Sequence, residues 1–401
     1  MKKRTKAKTV TKKTKVTASK SSKTVTKEKE RAFRFFDNRE KYLMFVTTCS
    51  EKTAVAERIG QELKHVKPGE QALRVFDAGM GDGSVLSYVM RHMHREFTHI
   101  PWVVVGKEVS MEDARMSLEK LSDRLSEHPE TVFALTNMYY SEAPRLRPNS
   151  LAAASSLNWH QVALDGDTSH QFAQQIAGLH DILASDWQVK SSPKTGNPMY
   201  ERPSVLIVYR KDREFLLKPL IPKPGEIEGK YDLVIASQPY RARTDVKIKV
   251  KNVIAPLARA IAPGGRMVTV QSYGNDPGLE IINNIWPDEK PFKTSRDALL
   301  KEAKAQLNES DDRDLVFRNI ADKQSLFKYH LHTMPSEVGS NIGTSTILAA
   351  WNAAVYVAQI EDSRLADIMT HGDYLKAARD VVQKHSGLWF NDESFVISRK
   401  L

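Results

Sequence analysis

Arg74-Val-Phe-Asp77-Ala-Gly79-Met-Gly81-Asp82-Gly83 sets three glycines at alternate positions. The short apolar run Leu73 to Phe76 leads into it, and Val85/Leu86, Val89/Met90 and Met93 follow at helical spacing. A glycine has no side chain to hold a ligand off and tolerates positive φ, so a turn of this kind lets a ligand approach the backbone closely. It is not the dinucleotide fingerprint, in which the third glycine comes three residues after the second. Strand, glycine turn and helix open a longer alternation. Trp102 to Val105 reads as a buried strand, Met111, Ala114, Leu118, Leu121 and Leu125 as one helix face, and Thr131 to Thr136 as a third strand.

The pattern resumes at Tyr231 to Ala236, continues through a helix marked by Val250, Val253/Ile254, Leu257 and Ile261, and turns at Pro263-Gly264-Gly265 into a strand from Arg266 to Gln271. Two further strands fit Leu326 to His332 and Ser394 to Ser398. Upstream of the turn, Val55, Ile59, Leu63 and Val66 mark a helix that Lys67-Pro68-Gly69 ends. The whole predicts an α/β, doubly wound, mostly parallel sheet of seven strands over residues 33–401. The stretch 138–230 is too long for a loop and is expected to form an inserted α+β subdomain. Within it, Trp159 to Leu164 reads as a strand, Phe172 to Trp187 as a helix, and Ser204 to Tyr209 with Glu214 to Ile221 as a hairpin around Lys211-Asp212.

The 401 residues and 41% apolar content suit a globular chain with a sizeable core. A single cysteine, Cys49, excludes an internal disulfide framework and a Cys-rich zinc site. No apolar run is long enough to span a bilayer, and the basic N-terminus lacks the apolar stretch of a secretory signal, so a cytoplasmic protein without membrane contact is expected. The formal charge of +11 is concentrated at one end. Residues 1–30 hold eleven lysines and Arg4 against Glu28 and Glu30, which leaves the remainder almost neutral. Without aromatic, Leu or Ile residues, the stretch 1–32 is expected to be a disordered tail. Its chemistry suits non-specific nucleic-acid contact through counter-ion release, or simple solubilisation.

In parallel sheets, ligands bind beyond the carboxyl ends of the strands, and a carboxylate there can accept hydrogen bonds from a ribose diol. Glu108, in Gly106-Lys-Glu108-Val-Ser110 at the end of the second strand, fits that role. With these residues in view, the chain resembles the class I S-adenosylmethionine-dependent methyltransferases across most of residues 70–275. The resemblance implies S-adenosylmethionine as cofactor. It implies that Asp77, Gly79, Gly81, Asp82 and Gly83 hold the cofactor's methionine part, that Glu108 holds its ribose, and that Asn137, after the third strand, meets adenine. Asp165 and Asp167, in Leu164-Asp-Gly-Asp167, look more like that family's acidic adenine site, although they fall within the expected insertion. The segment Tyr42 to Lys52 resembles the helix that covers bound cofactor in that family.

The fourth strand runs into Ser237-Gln238-Pro239-Tyr240, which is similar to the Asp/Asn/Ser-Pro-Pro-Tyr motif of methyltransferases acting on amino groups. The resemblance makes these four residues the candidate catalytic turn, with the aromatic ring over the substrate plane and no metal required. Gln238 stands where the family carries proline. Two other readings compete. The run Gly81-Asp82-Gly83-x-Val-Leu86 resembles polyamine aminopropyltransferases, although Ser237 occupies the place of that family's aspartate. The third is a nucleic-acid-associated protein with a catalytically weak methyltransferase-like body. The histidine pairs His92/His94, His160/His170 and His330/His332 lack His-x-x-x-His spacing and read as core or surface residues.

Overall fold

The computed structural model describes residues 38–193, 196–308, 312–318, 320–332 and 342–401. The lysine-rich stretch 1–32 lies outside the described residues. Two helices come first, α1 (Arg39–Thr48) and α2 (Glu51–Leu63), then β1 (Leu73–Asp77), α3 (Ser84–Glu96), β2 (Trp102–Lys107), α4 (Met111–Glu119) and β3 (Thr131–Thr136). The later strands are β4 (Asn158–Leu164), β5 (Val189–Ser191), β6 (Pro198–Tyr200), β7 (Ser204–Arg210), β8 (Tyr231–Ser237), β9 (Ile261–Ser272), β10 (Leu315–Arg318), β11 (Leu326–His330) and β12 (Trp389–Arg399).

Among the described residues, ten strands form one sheet in the order β10-β12-β9-β8-β1-β2-β3-β7-β4, with β11 also paired to β12; β5 and β6 form a separate ribbon. The centre is parallel: β1 pairs with β2 and β8, β2 with β3, and β8 with β9. β12 runs antiparallel to β9. This is the doubly wound, Rossmann-like arrangement, and the sequence reading of a mostly parallel sheet holds. Its strand count does not, because ten strands rather than seven join the sheet.

The difference lies mainly in the stretch expected as an inserted subdomain. β7 adds antiparallel to β3 and β4 adds parallel to β7, so the segment prolongs the sheet edge instead of standing apart. Burial drives this. All seven residues of β7 are buried, which requires a neighbour on each edge and cover on each face. The hairpin expected at Lys211-Asp212 does not form: a 3₁₀ turn at Lys211–Arg213 and a short helix, Glu214–Leu217, follow β7. Phe172 to Trp187 is two helices, Ser169–Ala177 and His180–Asp186, broken around Gly178.

Side chains alternate across the central strands. Phe76, Val103, Val105, Val132 and Ala134 join one core, while Leu73, Val75, Trp102, Val104, Phe133 and Leu135 join the other. Full burial of such side chains is worth about 1.5–3 kcal/mol each relative to exposure, so helices covering both faces hold the sheet. A third cluster packs α1, through Phe45, against Tyr329, Trp351 and Tyr356. Among the described residues, no helix is long and apolar enough to cross a membrane.

The topology also fixes where a ligand can sit. From β1 the chain winds outward one way through β2 and β3, then returns to the other side of β1 as β8 and β9. The connections leave β1 and β8 in opposite directions, and a crevice opens at their carboxyl ends. The glycine turn follows β1, and Ser237 ends β8.

Candidate active site

A pocket of about 790 Å³ occupies this crevice. Asp77, Gly79 and Gly81 line it from β1, Glu108 from β2, Asn137 and Tyr140 from beyond β3, and Ser237, Gln238, Pro239 and Tyr240 from β8. Two sequence motifs more than 150 residues apart thus share one cavity. Asp82 and Gly83 are not among the lining residues and serve the turn itself. Asp82 accepts from the Tyr42 hydroxyl at 3.0 Å and from the Ser84 backbone N–H. Gly83, at φ 77°, caps α3 where a Cβ would lie 2.8 Å from Ser117 Cα.

The turn keeps an open approach. A Cβ on Gly79 would meet nothing within 4 Å, although this residue lines the pocket. Gly81, at φ +53°, has the opposite character, since a Cβ there would sit 2.7 Å from the Tyr42 hydroxyl. Above the turn, Arg39 of α1 pairs with Asp113 at 3.1 Å, and Tyr42 reaches Asp82, so α1 lies against the glycine turn. The segment resembling a cofactor-covering helix is therefore α1 together with the first turn of α2, which adds Glu51 and Lys52 to the lining.

Glu108 is held from three sides. Its Oε2 accepts from Gly81 N–H at 2.9 Å, and its Oε1 from Val109 and Ser110 N–H at 2.7 and 2.8 Å. Each carboxylate oxygen offers two lone pairs, so Oε2 keeps capacity for one further donor. Burial raises the Glu108 carboxyl above its ordinary range, nearby Asp113 adds to the rise, and Lys107 opposes it. Asp77, whose Oδ1 accepts from Gly79 N–H at 3.2 Å, is pushed up to about 7, chiefly by burial, with Glu108 adding to the rise. This half of the pocket is acidic and desolvated, a surrounding that favours a cationic ligand.

The adenine candidates separate. Asn137 lines the pocket, but its amide is committed: Nδ2 donates to the Asp186 and Arg202 carbonyls, and Oδ1 accepts from Ser204 N–H at 2.9 Å. Asp165 and Asp167 are exposed at the opposite edge of the sheet. β7 runs against β3 and β4 runs with β7, so the end of β4 lies level with the start of β3. That corrects their assignment to the ligand site.

At the end of β8, Gln238 takes φ +47°, unusual for a side-chain-bearing residue. Its backbone N–H donates to Val270 O at 2.9 Å, and its amide nitrogen reaches Ser272 Oγ and Asp392 Oδ2. Gln238 therefore anchors the turn to β9 and β12. Tyr240 is buried, donates its hydroxyl to Gln271 Oε1 at 2.9 Å, and has the Lys249 ammonium 4.9 Å from its ring centroid. Pro239 O accepts from the Tyr140 hydroxyl at 2.9 Å.

Sequence reasoning missed Lys107, Tyr140 and Lys249, and named Glu51 and Lys52 only as part of the Tyr42 to Lys52 segment. One of these left a signal: Lys249 falls four residues before Val253, on the apolar stripe of its helix. That helix passes through a π-helical stretch at Val250–Ile254, a distortion frequent at functional sites.

No family model matches the chain, and no curated protein does. Solved structures align with the chain at low scores. The cyclopropane synthase MmaA2 from Mycobacterium tuberculosis aligns at 9% identity and a TM-score of 0.33, covering 92% of this chain and 99% of that one. A geranyl diphosphate methyltransferase in complex with SAM aligns at 12% identity and 0.32, covering 92% and 96%. The rRNA methyltransferase aviRa from Streptomyces viridochromogenes aligns at 14% and 0.25, covering 56% and 75%. Scores of this size equate the chain with none of them, and the reading of the site rests on its own geometry.

Proposed function

We propose that the chain is an S-adenosylmethionine-dependent methyltransferase that transfers a methyl group to an amine nitrogen held beside Ser237 to Tyr240. The observation that carries this reading is that the open glycine turn, the three-fold-anchored Glu108 and the Ser237 to Tyr240 turn line one pocket at the switch point of the sheet. Bound there, the cofactor supplies a sulfonium methyl open to in-line displacement.

The chain contributes position and exclusion of water. Gly79 gives close backbone approach, and the remaining acceptor site on Glu108 Oε2 suits a ribose hydroxyl. Burial pushes the Asp77 and Glu108 carboxyls toward their neutral form, and a cationic cofactor bound beside them would favour their ionised form in return. Ser237 and the Pro239 main chain offer acceptors to an amine, and Tyr240, fixed through Gln271, forms the wall behind it.

Calorimetric titration with S-adenosylmethionine, followed by incubation of the protein and labelled methyl donor with fractionated cell extract, tests the reading. Binding that Glu108→Ala weakens at least tenfold, and label transfer that Ser237→Ala slows, are expected. A chain that takes up no S-adenosylmethionine refutes the proposal. Binding with turnover indifferent to both Ser237→Ala and Tyr240→Ala would refute the catalytic turn alone.

A further inference from the structure

Charge within the pocket is sorted. The acidic lining residues are Glu51, Asp77, Glu108 and Asp113, all around the glycine turn and the α1/α2 cover. Lys52 pairs there with Glu51 at 2.8 Å, and Arg39 with Asp113. The other half, around the Ser237 to Tyr240 turn, carries Lys107, Lys249, Lys251 and Arg241.

Lys107 and Lys249 each lie against a tyrosine ring tied to that turn. Lys107 Nζ lies 4.9 Å from the ring centroid of Tyr140, whose hydroxyl binds Pro239 O, while Lys249 Nζ lies 4.9 Å from the ring centroid of the next residue, Tyr240. Lys249 is only 2% exposed, and its ammonium donates to Ala242 O at 2.8 Å. Among the described residues, neither ammonium forms an ion pair with a carboxylate. An ammonium has three donors, and burying one without an anion is costly unless a partner arrives. Glu108, adjacent to Lys107, already has its carboxylate engaged by three backbone N–H groups.

Resting on the methyltransferase reading, we propose that the methyl acceptor carries an anionic group, phosphoryl or carboxylate, received by Lys107 and Lys249 beside the Ser237 to Tyr240 turn. Met138, Tyr139, Met199, Ile248 and Val253 line the same space, so the acceptor joins this anion to an apolar or aromatic body. Burial lowers both ammonium groups, Lys249 to about 8. Asp245, Glu393 and Tyr240 surround Lys249, and Glu108 and Tyr140 surround Lys107. An anion arriving beside them raises their proton affinity, which couples binding to proton uptake near pH 8.

The test uses the full chain saturated with S-adenosylhomocysteine and titrated with phenyl phosphate, benzoate and uncharged benzyl alcohol. Both anions are expected to bind at least tenfold more tightly than the alcohol, and their ranking separates a phosphoryl from a carboxylate preference. Lys107→Met and Lys249→Met should each weaken anion binding by roughly ten- to a hundredfold, Lys249→Arg should retain it, and S-adenosylhomocysteine affinity should stay within threefold in the Lys249 variants. Heats measured in two buffers should show proton uptake at pH 8. Lys107, less buried than Lys249, keeps the test decisive if Lys249→Met does not fold. Anions binding no better than the alcohol, or undiminished by Lys107→Met, would overturn the inference while leaving the cofactor reading intact. Absence of S-adenosylhomocysteine binding would overturn that reading instead and this inference with it.

Discussion

Gly79→Leu separates ligand approach from folding. Gly79 lies outside the left-handed region, and a Cβ there meets nothing within 4 Å, so the substitution demands no backbone strain and its Cβ meets no protein atom. Its effect on stability is expected within about 0.5 kcal/mol, with a gain of that order possible because the unfolded chain loses freedom. The new side chain must, however, enter the pocket that Gly79 lines. A ligand pushed off the turn loses one or two hydrogen bonds of about 0.5–1.5 kcal/mol each, a weakening of roughly five- to a hundredfold. Gly81→Leu is the contrast. At φ +53°, with Tyr42 Oη 2.7 Å from the added Cβ, it incurs about 1–2 kcal/mol of backbone cost and also breaks the Tyr42 to Asp82 contact. Calorimetry with S-adenosylmethionine beside thermal melts distinguishes the two: Gly79→Leu should bind poorly at an unchanged Tm, and Gly81→Leu should melt earlier. A Gly79→Leu protein with wild-type Tm and wild-type affinity would refute the claim that ligand approaches this backbone.

Asp77 is held protonated to about pH 7 by burial, so its folded pKa exceeds the unfolded value of 3.8. Stability from this group is present below pH 4 and lost as pH rises through 7, about 4 kcal/mol at most; Asp77→Asn should raise Tm at pH 8 and converge with wild type toward pH 4. His128 has the opposite sign. Stacked on Trp102 with centroids 3.6 Å apart, it is lowered to about 4, mainly by burial, so stability is lost as pH falls from 6.5 through 4, by about 3 kcal/mol at most. His128→Phe should flatten that limb in acid melts. Gln238→Pro, which would restore the proline of the amino-group methyltransferase motif, should destabilise the chain by roughly 3 kcal/mol or more. Proline cannot adopt φ +47° and lacks the N–H that Gln238 gives to Val270 O, so denaturant titration with an unchanged midpoint would disprove this account.

The central strands and the glycine turn were legible because their signals are local. Alternation at Val103, Val104 and Val105 needs only a sheet with both faces covered, and the left-handed φ of Gly83 at the start of α3 is a local demand, to which the close approach of Ser117 from α4 adds a tertiary one. The Ser237 to Tyr240 turn was singled out instead by its resemblance to a methyltransferase motif, and the structure places it at the end of β8. Gln238 was read as a departure from a motif, whereas its φ and its bonds to Ser272 and Asp392 make it the anchor of the turn. Those partners come from β9 and β12, remote in the chain.

Placement of the remaining residues was decided by strand direction and packing. Asp165 and Asp167 end a strand, as ligand-binding acids do, but β7 reverses against β3 and carries that end to the far edge of the sheet. Lys249 lies on the apolar stripe of its helix, but only packing buries its ammonium against the Tyr240 ring. Periodicity and glycine spacing reflect forces acting over a few residues, and so they can be read along the chain. Which strand ends converge, and which charges are buried together, depend on pairing between segments far apart in the chain, and emerge only once those segments are packed.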